Sequence, residues 1–473
     1  MMTLHQKVNQ NQAQKKIKRN NFFDDMKTVF NHNYGIILCF FLFFSENNQL
    51  FSDENINEPG SISFSYLNMQ NSISEFDYYD FLRDSIITQP EYLYANLKAL
   101  EKDADLKYSR RQRFPELSVQ VINDQVLERN VVEKTSLRKR QDDSFDAAVE
   151  LSQPIYSGGT INAQVRKALH DKSFSITEKE NALSTLVLDA NLIYLNAIKS
   201  NYLYEYGTNL ISEIEPFLEK VRQRVEIGIS DPIELALFSI KYNALKSRIQ
   251  ILKTQKDRDL GIFEYFFGME YQDIYFPNVF VPLIENNNDY EAYNVLAAKI
   301  QLKSAKEDTN ITKGEFRPQF GFRSRYTVYD IKDNENDTDW RGGIYFSMPL
   351  FTFGRSSAKI SSFKAKENAS RMNIDIERKD DDVRETEIVN LVKGSINTRQ
   401  EVYASYEDTK NQRRIIRNRL DATTFSPESY ANSSLEEINL LEEFINIEIN
   451  LLAGYFSYLH QNQKLNSVIR VQP

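Results

Sequence analysis

The chain has 473 residues, 41% hydrophobic and 26% charged, which is enough apolar material for an ordered core and too little for a multi-span helical membrane protein. Its formal net charge of -9, with 58 Lys+Arg against 67 Asp+Glu, gives no electrostatic footprint for nucleic acid. The single cysteine, Cys39, excludes an intrachain disulfide framework and a multi-cysteine zinc site, and the histidines His5, His32, His170 and His460 are scattered. No HExxH, GxxxxGK[ST] or GxSxG occurs, so neither an enzyme nor a metal or cofactor site is expected.

Residues 35–44, GIILCFFLFF, form an uncharged apolar run preceded by Lys15, Lys16, Lys18, Arg19 and Lys27. This fits the positive and apolar regions of an export signal, and the run is too short to span a bilayer. Residues 1–52 are therefore predicted to be an amino-terminal extension and signal, with Met26 a plausible start and processing between Ser45 and Ser52. Leu38 in front of Cys39 argues against lipid attachment. Residues 53–74 are expected to be a linker.

The remainder divides into two repeats, residues 75–290 and 291–473. In each, a proline opens an extended stretch, Pro115 and then Pro318, and a P-[LI]-[FY]-x-x-G segment closes a second one. Pro154-Ile155-Tyr156-Ser157-Gly158-Gly159 and Pro349-Leu350-Phe351-Thr352-Phe353-Gly354 are these segments, 195 residues apart, whereas Pro115 and Pro318 are 203 apart. The eight-residue difference is assigned to one hairpin loop. Such duplication is read before any local motif. Pro154, Gly159, Pro349 and Gly354 mark the predicted strand-to-helix turns.

Between the prolines the periodicity is two, as a strand requires. Leu117, Val119 and Val121 alternate with Ser118 and Gln120, and Phe145, Ala147, Val149 and Leu151 with Asp146, Ala148, Glu150 and Ser152. In the second repeat Phe320, Phe322, Tyr326 and Val328 oppose Gly321, Arg323, Arg325 and Thr327. Trp340, Ile344, Phe346 and Met348 oppose Arg341, Tyr345 and Ser347. Strands of about ten residues with one apolar and one polar face, rimmed by Tyr329, Trp340 and Phe351, fit an outer-membrane barrel, and alternation alone fits a half-buried soluble sheet equally.

Long helical patterns follow, from Thr160 to about Ile227 and from Arg355 to about Thr424, each near 70 residues or roughly 100 Å. Leu183, Leu186, Ala190, Ile193 and Ala197 form one seam and Leu188, Leu192 and Leu195 a second, so each helix expects two neighbours. Pro216 should kink the first. Gly228 reads as a stop, with Asp231 as N-cap, Pro232 at the first helical position and Glu234 closing a capping box. In the second repeat the turn is placed at Tyr430 and Ser433, with Ser433 or Ser434 as cap. The return helix should run to about Val468 with Ile438, Leu441, Ile445, Leu452, Tyr455 and Leu459 buried. The Asp380-Asp381-Asp382 run reads as a solvated face.

An exported chain with two such repeats resembles the TolC family of outer-membrane efflux and secretion channels over about residues 75–468. The resemblance implies a mainly α fold with a small membrane β part: long helical hairpins forming a periplasmic tunnel, and four strands per chain closing as a trimeric 12-stranded barrel. It implies the outer membrane of a Gram-negative bacterium, a homotrimer in contact with the lipid bilayer, a periplasmic adaptor protein, and an inner-membrane ABC or proton-driven pump for type I secretion or multidrug efflux. Four strands cannot close a barrel alone, which independently calls for oligomerisation. By motif, the family's helix-tip turn maps to Gly228, Asp231, Tyr430 and Ser433, and its acidic tunnel gate to Glu234, Asn439 and Glu442. Asn439, Glu442 and Asn446 share one helix face by spacing. Glu234 is equally a cap residue and Glu442 equally a surface carboxylate. An exported structural or adhesive coiled-coil protein is the alternative reading.

Overall fold

Strands form where the alternation starts. The computed structural model describes residues 61–62, 73–125, 143–272, 274–282, 284, 291–329, 331, 337–421 and 426–469, all within the unit Pro59–Pro473. The predicted export signal and most of the linker lie outside these residues. In chain order the elements are β1 (Ser61–Ile62), β2 (Ile73–Ser74), α1 (Glu75–Ile87), α2 (Pro90–Arg111), β3 (Glu116–Gln125) and β4 (Asp143–Ser157). Next come α3 (Thr160–Glu226), α4 (Pro232–Phe267), β5 (Pro277–Phe280), α5 (Tyr293–Glu315), β6 (Gln319–Val328) and β7 (Thr338–Ser347). The chain continues with α6 (Arg355–Asp421), α7 (Pro427–Gln461) and α8 (Leu465–Val468).

The two hairpins join into one antiparallel sheet in the order β3-β4-β6-β7. Seventeen residues separate β3 from β4 and nine separate β6 from β7, so the eight-residue difference between the repeats sits where the proline spacing placed it. Pro154 is not a turn residue: β4 runs on through it to Ser157, with a register shift between Pro154 and Tyr156. The proline is tolerated because β3 begins at Glu116 opposite Ser152, so beyond Ser152 β4 has an open edge on which a missing N–H costs no ladder bond. Pro349 does follow the end of β7, and Gly159 (φ +89°) and Gly354 (φ +82°) both precede the first residue of a long helix. A second, smaller sheet places β5 between β1 and β2.

Both long helices have 67 residues. A helix of that length is stabilised by packing along its sides rather than by propensity. Near the sheet the helices lie in the order α2, α3, α5, α6; farther away α3 packs on α4 and α7, and α7 packs on α6. Of the predicted seams, Leu183, Leu186, Ala190 and Ala197 are buried, and Leu195 is too, but Leu192 stays exposed in the single chain. α3 continues through Pro216. At Gly207 an added Cβ would come within 2.9 Å of both Ile249 and Ile438, so the glycine lets α3, α4 and α7 approach closely. Where α1, α3 and α4 meet, tilted rings pack closely, with centres 4.9 Å apart for Tyr78 and Tyr194, 5.0 Å for Phe81 and Phe267, and 4.6 Å for Phe263 and Phe267. The Tyr78 hydroxyl donates to Asn191 Oδ1 at 2.6 Å, satisfying both groups' buried oxygens.

The return helix α7 is the most amphipathic part of the bundle. Ile438, Leu441, Ile445, Leu452 and Leu459 are buried and Tyr455 is half-buried. It ends at Gln461 rather than near Val468. Gln463 takes φ +56° while Lys464 and Gln463 donate backbone hydrogen bonds to Leu459 and His460, a reversal that starts the separate turn α8.

Candidate channel face and helix tips

The four-stranded sheet has two chemically distinct faces. Register places Val119, Val149, Tyr326 and Trp340 in one row, and Phe322 beside Ile344 and Phe320 beside Phe346 in others. Trp340, Ile344 and Phe346 are 78%, 77% and 68% exposed, an apolar patch of the kind that marks a contact with another protein or with a membrane. The polar atoms on this face pair with each other, since Trp340 Nε1 donates to Ser324 Oγ at 2.9 Å. Exposed Phe114, Ile155, Leu350, Phe351 and Phe353 gather where strands give way to helices, as in an interfacial girdle. Tyr329 departs from the expected rim and sides with the polar face.

The opposite face carries Ser118, Gln120, Glu150, Arg323, Arg325, Thr327, Asp339, Arg341 and Tyr345. Glu150 accepts from Arg323 Nε at 3.0 Å, Arg341 pairs with Asp339, and the Arg323 guanidinium lies 5.3 Å from the Tyr345 ring centre. Gly321 is required here, because a Cβ would meet the Tyr345 hydroxyl at 2.5 Å.

At the first helix tip the stop glycine and the Asp231 cap form as read, but the capping box does not: the Glu234 backbone N–H donates to the Asp231 carbonyl and its carboxylate makes no bond back to Asp231 N. Gly228 sits at φ +77°, with Ile229 bonding back to Arg224 and Gly228 to Val225, which closes the end of α3. The Asp231 carboxylate accepts from Ile233 N at 2.8 Å. Glu234 is half-buried and lies one turn into α4.

The second tip differs from expectation. Tyr430 and Ser433 are inside α7, which starts at Pro427 with Ser426 in the cap position. Ser433 and Ser434 donate to the carbonyls of Ser429 and Tyr430 four residues back, as hydroxyls inside a helix do. The signal that locates this tip is the 195-residue offset itself, since Pro232 and Pro427 obey it, as do both ends of α3 and α6. Residues 422–425, between α6 and the cap, lie outside the described residues. Asn439 and Glu442 consequently stand about 18 and 22 Å along α7 rather than beside its start.

The candidate row on α7 is largely engaged within the chain. Glu442 is paired with Arg248 of α4, Asn446 accepts from Lys199 of α3 at 3.3 Å, and Asn439 is exposed. Burial lowers the Lys199 pKa. Other acidic groups of α7 meet guanidiniums of α6. Arg399 pairs with the fully buried Glu448, whose carboxyl is pushed up to about 7 by burial although Arg399 pulls the other way. Nearer the tip, Glu437 is bound by Arg413 and Tyr206, while Glu213 accepts from Arg413 at 2.7 Å and from Tyr430 at 3.2 Å and lies 3.2 Å from Arg417. Burial works against the Arg413 charge, but Glu437 and Glu213 outweigh it and hold the guanidinium protonated. A sequence clue to this network exists: α7 has six glutamates and no lysine or arginine. Asp381 of the acidic run is half-buried and accepts from Gln461 at 2.6 Å, so only its neighbours are solvated. Among the described residues no His/Cys/Asp/Glu group could hold a metal ion, and no helix is long and apolar enough to cross a membrane.

No family model matches the chain, and no curated protein matches it. Solved structures do. The CmeC outer membrane channel of Campylobacter jejuni aligns with a TM-score of 0.70 at 13% identity, over 88% of this chain and 90% of that one. The outer membrane protein VceC of Vibrio cholerae gives 0.65 at 12%, over 80% and 96%. The open state of the Neisseria gonorrhoeae MtrE outer membrane channel gives 0.59 at 12%, over 82% and 89%. The chain therefore has the fold of the TolC-like outer-membrane channels.

Proposed function

We propose that three copies of this chain form an outer-membrane channel-tunnel of a Gram-negative bacterium, a passive conduit that carries substrates delivered by an inner-membrane ABC or proton-driven pump through a periplasmic adaptor. The observation that carries this reading is the two-faced sheet: an outer face of Trp340, Ile344 and Phe346 suited to lipid, a polar face suited to water, and unpaired edges on β3 and β7. Three such sheets close twelve strands. The helices, about 100 Å long, supply the tunnel. A structural or adhesive role offers no reason for a lipid-like face backed by arginines.

The gate in this reading lies toward the helix tips and uses Glu234, Asn439 and Glu442, with Arg248 holding Glu442 until the return helices separate. Threefold symmetry makes each tunnel-facing carboxylate a ring of three, which favours cations. In planar bilayers the purified protein should form channels of small resting conductance that are blocked by divalent cations from the helix-tip side. The Glu234→Gln, Glu442→Gln double variant should lose much of that block. Absence of any channel would overturn the conduit, and unchanged block in the double variant would overturn the gate assignment alone.

A further inference from the structure

One of the three guanidiniums on the polar face of the sheet, Arg325, is left out of its ion pairs. Ser118, Glu150, Arg325 and Arg341 stand side by side across the four strands, so two guanidiniums face each other directly on β6 and β7. Like charges in that position destabilise a sheet unless something anionic lies between or beside them. The neighbouring carboxylates are already used: Glu150 binds Arg323 at 3.0 Å, Asp339 binds Arg341, and Asp146 is not free. Arg325 is half-buried and has no hydrogen-bond or ion-pair partner among the described residues. It borders a hollow of about 260 Å³ whose polar lining is Gln120, Thr327, Tyr329 and Arg341 together with the two engaged carboxylates, Asp146 and Asp339.

We propose that Arg325, with Arg341 opposite it, is an oxyanion contact point on the water-facing wall of the barrel, where carboxylate or phosphate groups of a passing solute are held in transit. This rests on the conduit reading above. The planar guanidinium fork matches a carboxylate or phosphate in two hydrogen bonds, which a lone point charge does not. Gln120 and Thr327 supply further polar contacts to a bound group. Three copies would set three such pairs around one lumen, each acting at contact range through its guanidinium fork. In the conduit reading the bilayer lies against the apolar side of the sheet, which would keep head-group phosphates off this face.

Citrate is the probe, added on the barrel side of single channels in planar bilayers at low salt. It should block the parent channel in a dose-dependent manner that weakens as ionic strength rises. The half-blocking concentration should rise roughly fivefold or more in Arg325→Gln and by a smaller factor in Arg325→Lys, which keeps the charge and loses the fork. Arg341→Gln should shift it in the same direction. A half-blocking concentration unchanged in Arg325→Gln overturns the contact point while leaving the conduit intact. If that variant forms no channels, an unchanged value in Arg325→Lys and Arg341→Gln has the same force. A parent protein that forms no channel at all overturns the conduit reading.

Discussion

At the turn from strand to long helix the two repeats share a backbone path but not the residues that follow it. Gly158 and Gly159 take φ of +68° and +89°, and their counterparts 195 residues later, Phe353 and Gly354, take +49° and +82°. A Cβ on Gly158 would come 2.2 Å from the Gly314 carbonyl oxygen and 3.1 Å from Arg317 Cβ, whereas one on Gly354 would meet nothing within 4 Å. Phe353 accepts its left-handed backbone where its ring, 89% exposed, meets the Phe351 ring edge-on at the sheet's helix-side rim. Gly158→Ala should therefore cost about 2–6 kcal/mol, combining backbone strain with overpacking. Gly354→Ala should cost about 1 kcal/mol, from handedness alone. Denaturant unfolding followed by helical circular dichroism checks this, and equal losses at the two sites would contradict it.

Helix α7 shows how an element is fastened by charge as well as by its apolar stripe. All its carboxylates that are buried or half-buried in ion pairs, Glu437, Glu442 and Glu448, meet arginines of α4 or α6. Removing one partner of a buried pair costs more than the pair contributes, so Arg399→Met should destabilise by roughly 3–5 kcal/mol at neutral pH. The same helix carries a buried and a half-buried group that titrate in opposite senses. Burial raises Glu448 from 4.5 to about 7, so the folded state binds the extra proton and this contribution is present below about pH 4.5 and lost as pH rises through 7. Burial, with Arg384 adding to it, lowers His460 from 6.5 to about 4. The neutral ring, hydrogen-bonded to Ser184 Oγ at 2.7 Å, contributes stability above pH 6.5 that is lost as pH falls toward 4. Between about pH 4.5 and 6.5 the two largely cancel. Relative to the parent, Glu448→Gln should gain stability as pH rises from 4.5 to 7, while His460→Gln should lose it from 4 to 6.5. Differences of the same sign, or flat ones, in thermal melts across this range would refute the assignment.

For the whole molecule the open question of the single chain is its edges. β3 and β7 end the sheet, α2 and α6 end the helical array near it, and Tyr94, Leu97 and Leu100 of α2 and Met372 and Ile376 of α6 are exposed there. Unpaired strand edges and apolar helix flanks on both sides of one chain are satisfied together by the cyclic closure proposed above. Light scattering in mild detergent, corrected for bound detergent, should give three times the mass of the mature chain, and a stable monomer would count against closure. A charge at Phe322, near the middle of the apolar face, should cost about 2–4 kcal/mol and reduce membrane assembly, while one at Gln120 on the polar face should be tolerated.

The residues alone determined the duplication, the strand faces, the length of the two long helices and the first tip, because each is written in short-range terms: period two, the absence of breakers, and a glycine followed by Asp231-Pro232. At the second tip the Tyr430 and Ser433 motif misleads, because both lie inside α7, whereas the 195-residue offset points to Pro427. Tertiary structure decided what no local pattern encodes. Whether Pro154 ends a strand depends on where β3 begins, and whether Gly158 is replaceable depends on Gly314, 156 residues away. Whether Glu442 is a free carboxylate depends on Arg248, 194 residues away in sequence and in contact only because α4 and α7 pack together. Periodicity says which face of a helix is buried, but the partner of a buried charge is set by the packing of helices far apart in the chain.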